Sequence, residues 1–326
     1  MMSRFLNALS SGRVLLMDGA MGTELIRAGL AEGESADLWT AYHPERVLAV
    51  HQAYHQAGAE VLLTNTFQLI RASISCPSAQ GPHGPVYFAA EHKTLLALYW
   101  SACTLARAAC GPDGFVIEDI GSFTAESSGQ EFADLSLLRL ALGNLGPADA
   151  VLLETCYSPR VRLAIHWLRK LRPDLPVLLS LAYRKQASGI DTITGHSPAW
   201  FAARAAGYGV AALGVNCGRD IGMAEILEIV RQYRQETDLP LFVRPNAGTP
   251  GKRGKQLLYP LTPEQMADQV PALVDAGVTM IGGCCGTTPL HIAACRQALA
   301  RHRKPRGARR QGASRSITHP PESSSR

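Results

Sequence analysis

Eight short apolar runs, each ending in a polar or glycine-containing turn, set the limits on what this chain can become. They are VLLMDG (14–19), VLLTN (61–65), FVIEDIG (115–121), AVLLET (150–155), PVLLSLAY (176–183), ALGVNC (212–217), LFVRPNAG (241–248) and VTMIGGCC (278–285). Their hydrophobicity is nearly continuous instead of alternating, which marks strands buried on both faces of a parallel sheet. Stretches with helical spacing lie between them. HPERVLAVHQAYHQAGA places Val47, Val50, Tyr54 and Ala57 on one face and stops at Gly58. TPEQMADQVPALVDAG opens with Thr262 as N-cap and Pro263 at the first helical position, and it closes at Gly277. SPRVRLAIHWLRKL and TPLHIAACRQALARH share the Ser/Thr-Pro opening. Eight alternating units predict an α/β chain folded as a single-domain (β/α)8 TIM barrel over residues 1–302, in preference to a doubly wound sheet. No GxGxxG follows the first strand, and RASISCPSAQGPHGP (71–85) reads as an irregular loop over one end of the barrel.

The net charge of +5 over 326 residues is concentrated in one place. Residues 303–326 carry seven Arg/Lys against one Glu, which leaves the body at −1. That segment is rich in Pro, Gly and Ser with almost no apolar residues, so a disordered basic tail is expected. A solvated extension explains it without invoking nucleic acid. With no apolar stretch of about 18 residues, no membrane span is expected. The N-terminus lacks a signal-peptide pattern, which predicts a cytoplasmic, reducing setting. The eight cysteines are then metal ligands, catalytic groups or small buried apolar residues, and not a disulfide framework.

In a barrel of this kind chemistry sits where strands end. The runs deliver Asp18, Asn65, Asp119, Glu154, Tyr183, Cys217, Asn246, and Cys284 with Cys285. Three cysteines thus converge from two strands. Three thiolates suit a tetrahedral zinc ion with its fourth position open. Adjacent Cys284 and Cys285 would reach one ion only where strand geometry breaks, which Gly282, Gly283 and Gly286 permit. Two buried cysteines in a glycine-rich turn is the other reading of the pair.

Six motifs in order, DGAMGTEL (18–25), TNTF (64–67), LLET (152–155), GVNC (214–217), PNAG (245–248) and GGCCGTTPLH (282–291), resemble the homocysteine S-methyltransferase family over about residues 10–302. They are most similar to the homocysteine-binding module of cobalamin-dependent methionine synthases. The resemblance implies a zinc-dependent enzyme that methylates homocysteine to methionine, with Zn2+ held by Cys217, Cys284 and Cys285. It implies that Asp18 and Glu154 hold the substrate ammonium, while backbone N–H groups of GAMGT receive the carboxylate. Asn246 would serve as a weak fourth ligand or as a loop support, and Asn65 as a strand-end support or substrate contact. Thr155 after Glu154, where a betaine-using relative would have an aromatic residue, weighs against betaine.

A small sulfonium such as S-methylmethionine is the favoured donor, with Trp39 offering an aromatic face to a cation. A corrinoid carried by a partner protein is the alternative, and a non-catalytic zinc- or thiol-binding module is a third reading. The run EDIGSFT departs from the family, which more often has Gly-Pro after the corresponding Ile-Gly.

Overall fold

The computed structural model describes residues 3–69, 79–81, 84–86, 92–121, 139, 141–253 and 256–302. Eight strands form one parallel sheet: β1 (Leu15–Leu16), β2 (Val61–Leu63), β3 (Phe115–Ile120), β4 (Ala150–Cys156), β5 (Val177–Leu181), β6 (Ala212–Asn216), β7 (Leu241–Arg244) and β8 (Val278–Ile281). Their lateral order is β1, β8, β7, β6, β5, β4, β3, β2. A parallel bridge between Met17 and Val61 joins the two ends of that order and closes the ring. The expected eight-stranded barrel is therefore the observed one. Each apolar run supplies its strand, and the burial is as continuous as the runs.

Two hydrophobic clusters follow from the alternation of strand side chains. Leu15, Met17, Val61, Leu63, Phe115, Ile117, Ala150, Leu152, Leu178, Ala212, Phe242 and Met280 fill the barrel interior. The opposite faces, including Leu62, Val116, Val151, Leu179, Leu213 and Val243, pack outward against the helices. Helix α1 (Arg4–Leu9) sends Phe5 and Leu9 into the interior cluster. Phe5 meets Phe115 at 5.4 Å between ring centroids, closing the end where the strands begin. Gly214 is what lets the interior close-pack, since a Cβ there would collide with the Phe242 ring.

Helices α2 (Met21–Arg27), α3 (Trp39–Tyr42) and α4 (Pro44–Ala57) connect β1 to β2. Pro44 opens α4, and Gly58 ends it in the left-handed region at φ 108°, as the sequence pattern requires. Of the predicted stripe, Val47, Val50 and Tyr54 are buried and Ala57 packs at the margin. Helix α5 (His92–Cys110) precedes β3. Helix α6 (Val161–Leu171) buries Val161, Ala164, Ile165 and Leu168, a regular i, i+3, i+4, i+7 face. It begins two residues after Pro159, because Ser158–Arg160 form the preceding turn. Helices α7 (Pro198–Tyr208) and α8 (Met223–Glu236) flank β6.

The sequence predicts one helix over 262–277, whereas the structure has two, α9 (Pro263–Ala267) and α10 (Val270–Asp275). Pro271 explains the break: it has no N–H to donate, and its ring would strike the carbonyl four residues back, at Ala267. Thr262 caps α9 as expected, its hydroxyl accepting from Gln265 N at 3.3 Å. Helix α11 (Pro289–Arg301) ends the described chain.

Within the segment expected to be an irregular loop, Ala79–Gly81 pairs antiparallel with Gly84–Val86. The rest of that segment, Cys76 and the tail 303–326 lie outside the described residues. Among the described residues no helix is long and apolar enough to cross a membrane.

One buried acid belongs to the fold. Glu118 on β3 turns outward beneath α5, where its Oε2 accepts from Gly146 N at 2.9 Å and from the Cys103 thiol at 3.2 Å. Its Oε1 accepts nothing among the described residues, and burial pushes its carboxyl up to about 7. The folded chain therefore holds this proton after the unfolded chain has released it, and stability falls as pH rises from about 4.5 to about 7. Glu118→Gln should remove this contribution. Relative to wild type, the variant should gain up to about 3 kcal/mol in urea unfolding free energy between pH 5 and pH 8.

Candidate metal centre and acidic pocket

In six of the eight strands the last inward-facing position is where the apolar interior gives way to a polar group. Because Glu118 faces α5, its neighbour Asp119 faces the interior. The same two-residue step leads from Leu63 to Asn65, Leu152 to Glu154, Leu178 to Ser180, Gly214 to Asn216 and Phe242 to Arg244. All six polar residues are buried. They form a polar layer at the strand ends, above the apolar interior cluster.

The three cysteines lie at one side of this layer, with their sulfurs within 4.8 Å of one another. Cys217 follows β6 with φ 50°, a left-handed conformation uncommon outside glycine, and Gly218 continues it at φ 104°. The chain thereby turns sharply, while Cys217 N donates to Arg244 O at 3.3 Å. On the other side the ladder runs past β8. Gly282 N donates to Val243 O, Gly283 N to Asp18 O and Cys284 N to Pro245 O, at 2.9, 2.9 and 2.8 Å. A turn then begins at the pair itself, with Thr287 N and Oγ1 both donating to Cys284 O, at 3.1 and 2.7 Å. Gly286 sits in that turn at φ 80°, and the Tyr259 ring fills the space a Cβ would need. This is the break in strand geometry that two adjacent ligands require.

Cys284 Sγ and Cys285 Sγ are 3.9 Å apart. Hydrogen bonds from the Cys284 and Cys285 thiols hold Cys217 well below the usual thiol range, and the same contacts raise Cys284. Donation to Cys217 likewise pushes Cys285 up to about 12. One thiolate is thus favoured, and a second and third are opposed by like charge unless a cation stands among them.

Asn246 supports such an ion. Its Nδ2 lies 3.4 Å from Cys217 Sγ, while its buried Oδ1 has no partner among the described residues. Exchanging the two ends of the amide, which have the same shape, would turn that oxygen toward the sulfurs. The donor set therefore fits a metal ion: three sulfurs, with an amide oxygen or an incoming ligand as the fourth.

Beside the trio is a buried charge cluster. Arg244 donates from Nε to Glu154 Oε1 at 3.1 Å and from Nη1 to Asp18 Oδ1 at 2.8 Å. Its remaining contacts are Asp18 O at 3.3 Å and Gly19 O at 3.4 Å. Burial raises the Asp18 and Glu154 carboxyls, and the guanidinium works against that rise. Asp119 is raised well above the carboxylate range by burial and then by Glu154. Three carboxyls thus face a single guanidinium.

Asn216 ties the two halves together. Its Nδ2 donates to Thr155 Oγ1 at 2.7 Å, and its Oδ1 accepts from Ser180 Oγ at 2.6 Å and Thr155 N at 3.2 Å. Thr155, like Cys217, is left-handed, at φ 57°.

The structure brings Asp18, Glu154, Asn246, Cys217, Cys284 and Cys285 to one end of the barrel. Asn65 lies in the same layer, but its Nδ2 donates to Ala36 O at 2.7 Å and Thr40 Oγ1 at 3.2 Å, bracing α3 and the segment before it. Tyr183 packs outward, its hydroxyl 2.9 Å from that of Tyr233 on α8. The Ala20 N–H, expected among those receiving a carboxylate, donates to Thr287 Oγ1 at 3.1 Å. Trp39 is buried against the helices, with the Arg46 guanidinium 5.1 Å from its ring centroid and His43 at 4.5 Å, so its face is covered. Arg244 was not among the sequence-derived candidates. Its signal was a charge two residues beyond Phe242 in an otherwise apolar run.

A sequence model described as homocysteine S-methyltransferase matches residues 15–299. The methionine synthase of Mycobacterium tuberculosis (strain ATCC 25618 / H37Rv) is 29% identical over 317 residues, covering 90% of this chain and 25% of that protein. That of Mycobacterium leprae (strain TN) is 29% identical over 310 residues, covering 89% and 24%. The chain spans about a quarter of the length of these relatives. The metallated form of the homocysteine methyltransferase MmuM from Escherichia coli superimposes with a TM-score of 0.68 at 26% identity, covering 90% of this chain and 100% of that one. With the family match running from the first barrel strand into the last helix, the chain belongs to the homocysteine S-methyltransferase family.

Proposed function

We propose that this chain is a zinc-dependent enzyme that transfers a methyl group to the sulfur of homocysteine and yields methionine, with a small sulfonium such as S-methylmethionine as donor. The observation that carries the reading is the convergence of Cys217, Cys284 and Cys285 at the open end of the barrel, within 4.8 Å of one another. Thiolate ligands in a tetrahedral set favour zinc over harder cations. Zinc bound there would strip the proton from an acceptor thiol and present its sulfur as a nucleophile.

The chain's own residues do the rest. Cys217 is preset to ionise by the two thiols that donate to it. Asn246 holds Cys217 from the side, and Asn216 fixes the strand ends from which Cys217 and Glu154 project. The acidic pocket of Asp18 and Glu154 favours a positively charged group, and it supports an acceptor carrying an ammonium at the end opposite its sulfur. In the transfer, a C–S bond forms to the acceptor as the donor's C–S⁺ bond breaks. The bonding pair leaves with the donor sulfur, now a neutral thioether.

An electronegative mouth favours a cationic donor. The E. coli homocysteine methyltransferase, matched along its whole length, supports methyl transfer within one barrel. Trp39 does not contribute to this choice, because its ring is covered. The second reading, a methyl group received from a corrinoid on a partner protein, is supported by the methionine synthases, which are about four times longer than the matched region.

The purified chain should bind about one zinc ion, measured by elemental analysis and by competition with a chromophoric chelator. Ala at Cys217, Cys284 or Cys285 should remove most of it, whereas Ala at Cys103, Cys110, Cys156 or Cys295 should not. Full zinc occupancy in a Cys284→Ala, Cys285→Ala double variant would overturn the ligand assignment.

The donor is tested by methionine formation from homocysteine with S-methylmethionine or methylcobalamin. Turnover with the first supports the sulfonium reading. Turnover confined to methylcobalamin replaces it with the second.

A further inference from the structure

Each sulfur of the cysteine trio has a neighbour able to donate a hydrogen bond to it, and for one sulfur that neighbour is of a different kind. Cys217 meets the backbone N–H of Gly218 and Asn246 Nδ2, the latter at 3.4 Å. Cys284 meets Asn216 Nδ2 at 3.9 Å. The Asn216 amide cannot be turned round, because its Oδ1 accepts from the backbone N–H of Thr155. Cys285 has no such N–H among the described residues; it has Tyr259. Tyr259 follows a two-stranded hairpin, Gly251–Arg253 paired with Gln256–Leu258, and its ring packs on Gly286, the residue after Cys285. Ala247 laces the two segments together, its N donating to Cys285 O and its O accepting from Leu261 N, both at 2.9 Å. Burial, and then the Cys285 sulfur beside the hydroxyl, raises the Tyr259 phenol. A phenol keeps its proton at neutral pH in any case, so the O–H is the donor.

We propose that Tyr259 donates its hydroxyl to the Cys285 sulfur and thereby protects that ligand from methylation, so that the methyl group goes to the acceptor. The proposal rests on the reading that the trio holds zinc and that a methyl electrophile is delivered beside it. With an acceptor bound, four thiolates would share the ion, three of them the protein's own. All four are nucleophiles of one kind, and an unprotected ligand would compete for the methyl group. A hydrogen bond donated to a thiolate engages the lone pairs that would attack, and neighbours of this kind tune a metal's ligands. In the side reaction, a Cys285 lone pair forms an S–CH3 bond while the bond from that carbon to its leaving group breaks, its pair departing with the leaving group. The thioether left behind is neutral and holds zinc poorly. Tyr259 acts only through Cys285, as a positioning residue for its sulfur.

The test uses the zinc-loaded full chain without acceptor, and methyl iodide as the probe. Peptide mass spectrometry gives the rate of methylation at each cysteine, with fragment ions separating Cys284 from Cys285. A chromophoric chelator follows zinc release alongside. Tyr259→Phe keeps the ring on Gly286 and removes only the hydroxyl. It should raise the Cys285 rate about ten- to a hundredfold, the range of a lost hydrogen bond to a charged group. The Cys217 and Cys284 rates should change less than about threefold, and zinc should leave in step with Cys285 methylation. Tyr259→Leu, which lacks the ring as well, separates the hydroxyl from the bulk of the side chain.

If Tyr259→Leu exposes Cys285 and Tyr259→Phe does not, the ring shields by size and the role given to the hydroxyl is overturned. An unchanged Cys285 rate in both variants would overturn it too. Equal acceleration at all three cysteines, or a Phe variant that cannot be loaded with zinc, would do the same, because the residue would then support the site as a whole. Each of these outcomes leaves the zinc reading in place. Wild-type protein that binds no zinc would remove that reading and the proposal with it.

Discussion

The contact on which this end of the barrel depends is the buried fork of Arg244. It starts on β7 and reaches the first strand through Asp18 and the fourth through Glu154, spanning the mouth. Each member would be costly to bury alone. Removing one side of such a pair costs about 3–5 kcal/mol, because the remaining charge is stranded, whereas the intact set contributes little net stability. Its value is therefore geometric. Asp18 O accepts from both Arg244 Nη1 and Gly283 N, so the cross-brace also fixes the backbone immediately before the cysteine pair.

From that brace the placement of the cysteine trio follows. Strand β8 runs between Asp18 on one side and Val243 and Pro245 on the other, and the turn that frees Cys285 begins only once those contacts end. Tyr54 ties the same region from outside, its hydroxyl 2.9 Å from Ala20 O and 3.0 Å from Thr287 O. Opposite, Cys217 and Thr155 hold left-handed backbones that cost about 1–3 kcal/mol each. Asn216, buried in the polar layer, bonds Thr155 through both ends of its amide and thereby holds the strained end of β4. The sulfurs are gathered by backbone and amide contacts already in place, so an ion entering there meets a preorganised set.

What the sequence made legible was whatever depends on strand period and on local residue type. Eight apolar runs mapped onto eight strands, and placing chemistry at their ends brought Asp18, Glu154, Cys217, Cys284 and Cys285 together. Gly58 and Thr262 marked helix boundaries for reasons internal to the chain. What failed were cases needing knowledge of a third element. The break at Pro271 was an exception, since it is local: the ring meets the carbonyl of Ala267, four residues back. Tyr183 stood at a strand end but one step out of phase with the interior, so it packs outward against α8. Trp39 has the right chemistry for a cation, yet the cation it meets is Arg46. Arg244 was hidden because a charge at the end of an apolar run reads as a flank; only its inward phase, two residues beyond Phe242, marks it as a buried pair.

Charge balance links the two halves of the site. The cysteine trio with a divalent ion carries −1, and an acceptor thiolate would make it −2. A few residues away, three buried carboxyls face the single Arg244 guanidinium. If zinc binds the trio and more than one of those carboxyls ionises, the two negative centres, buried from water, would repel each other more strongly than they would in solvent. A ligand bearing a thiolate at one end and an ammonium at the other lessens that repulsion only in one orientation, sulfur to the cysteines and nitrogen to the acids. Reversal would put its anion against carboxylates and its cation where the ion stands. On the proposed reading, the arrangement of charge would set which end of the acceptor meets the donor, independently of any shape complementarity.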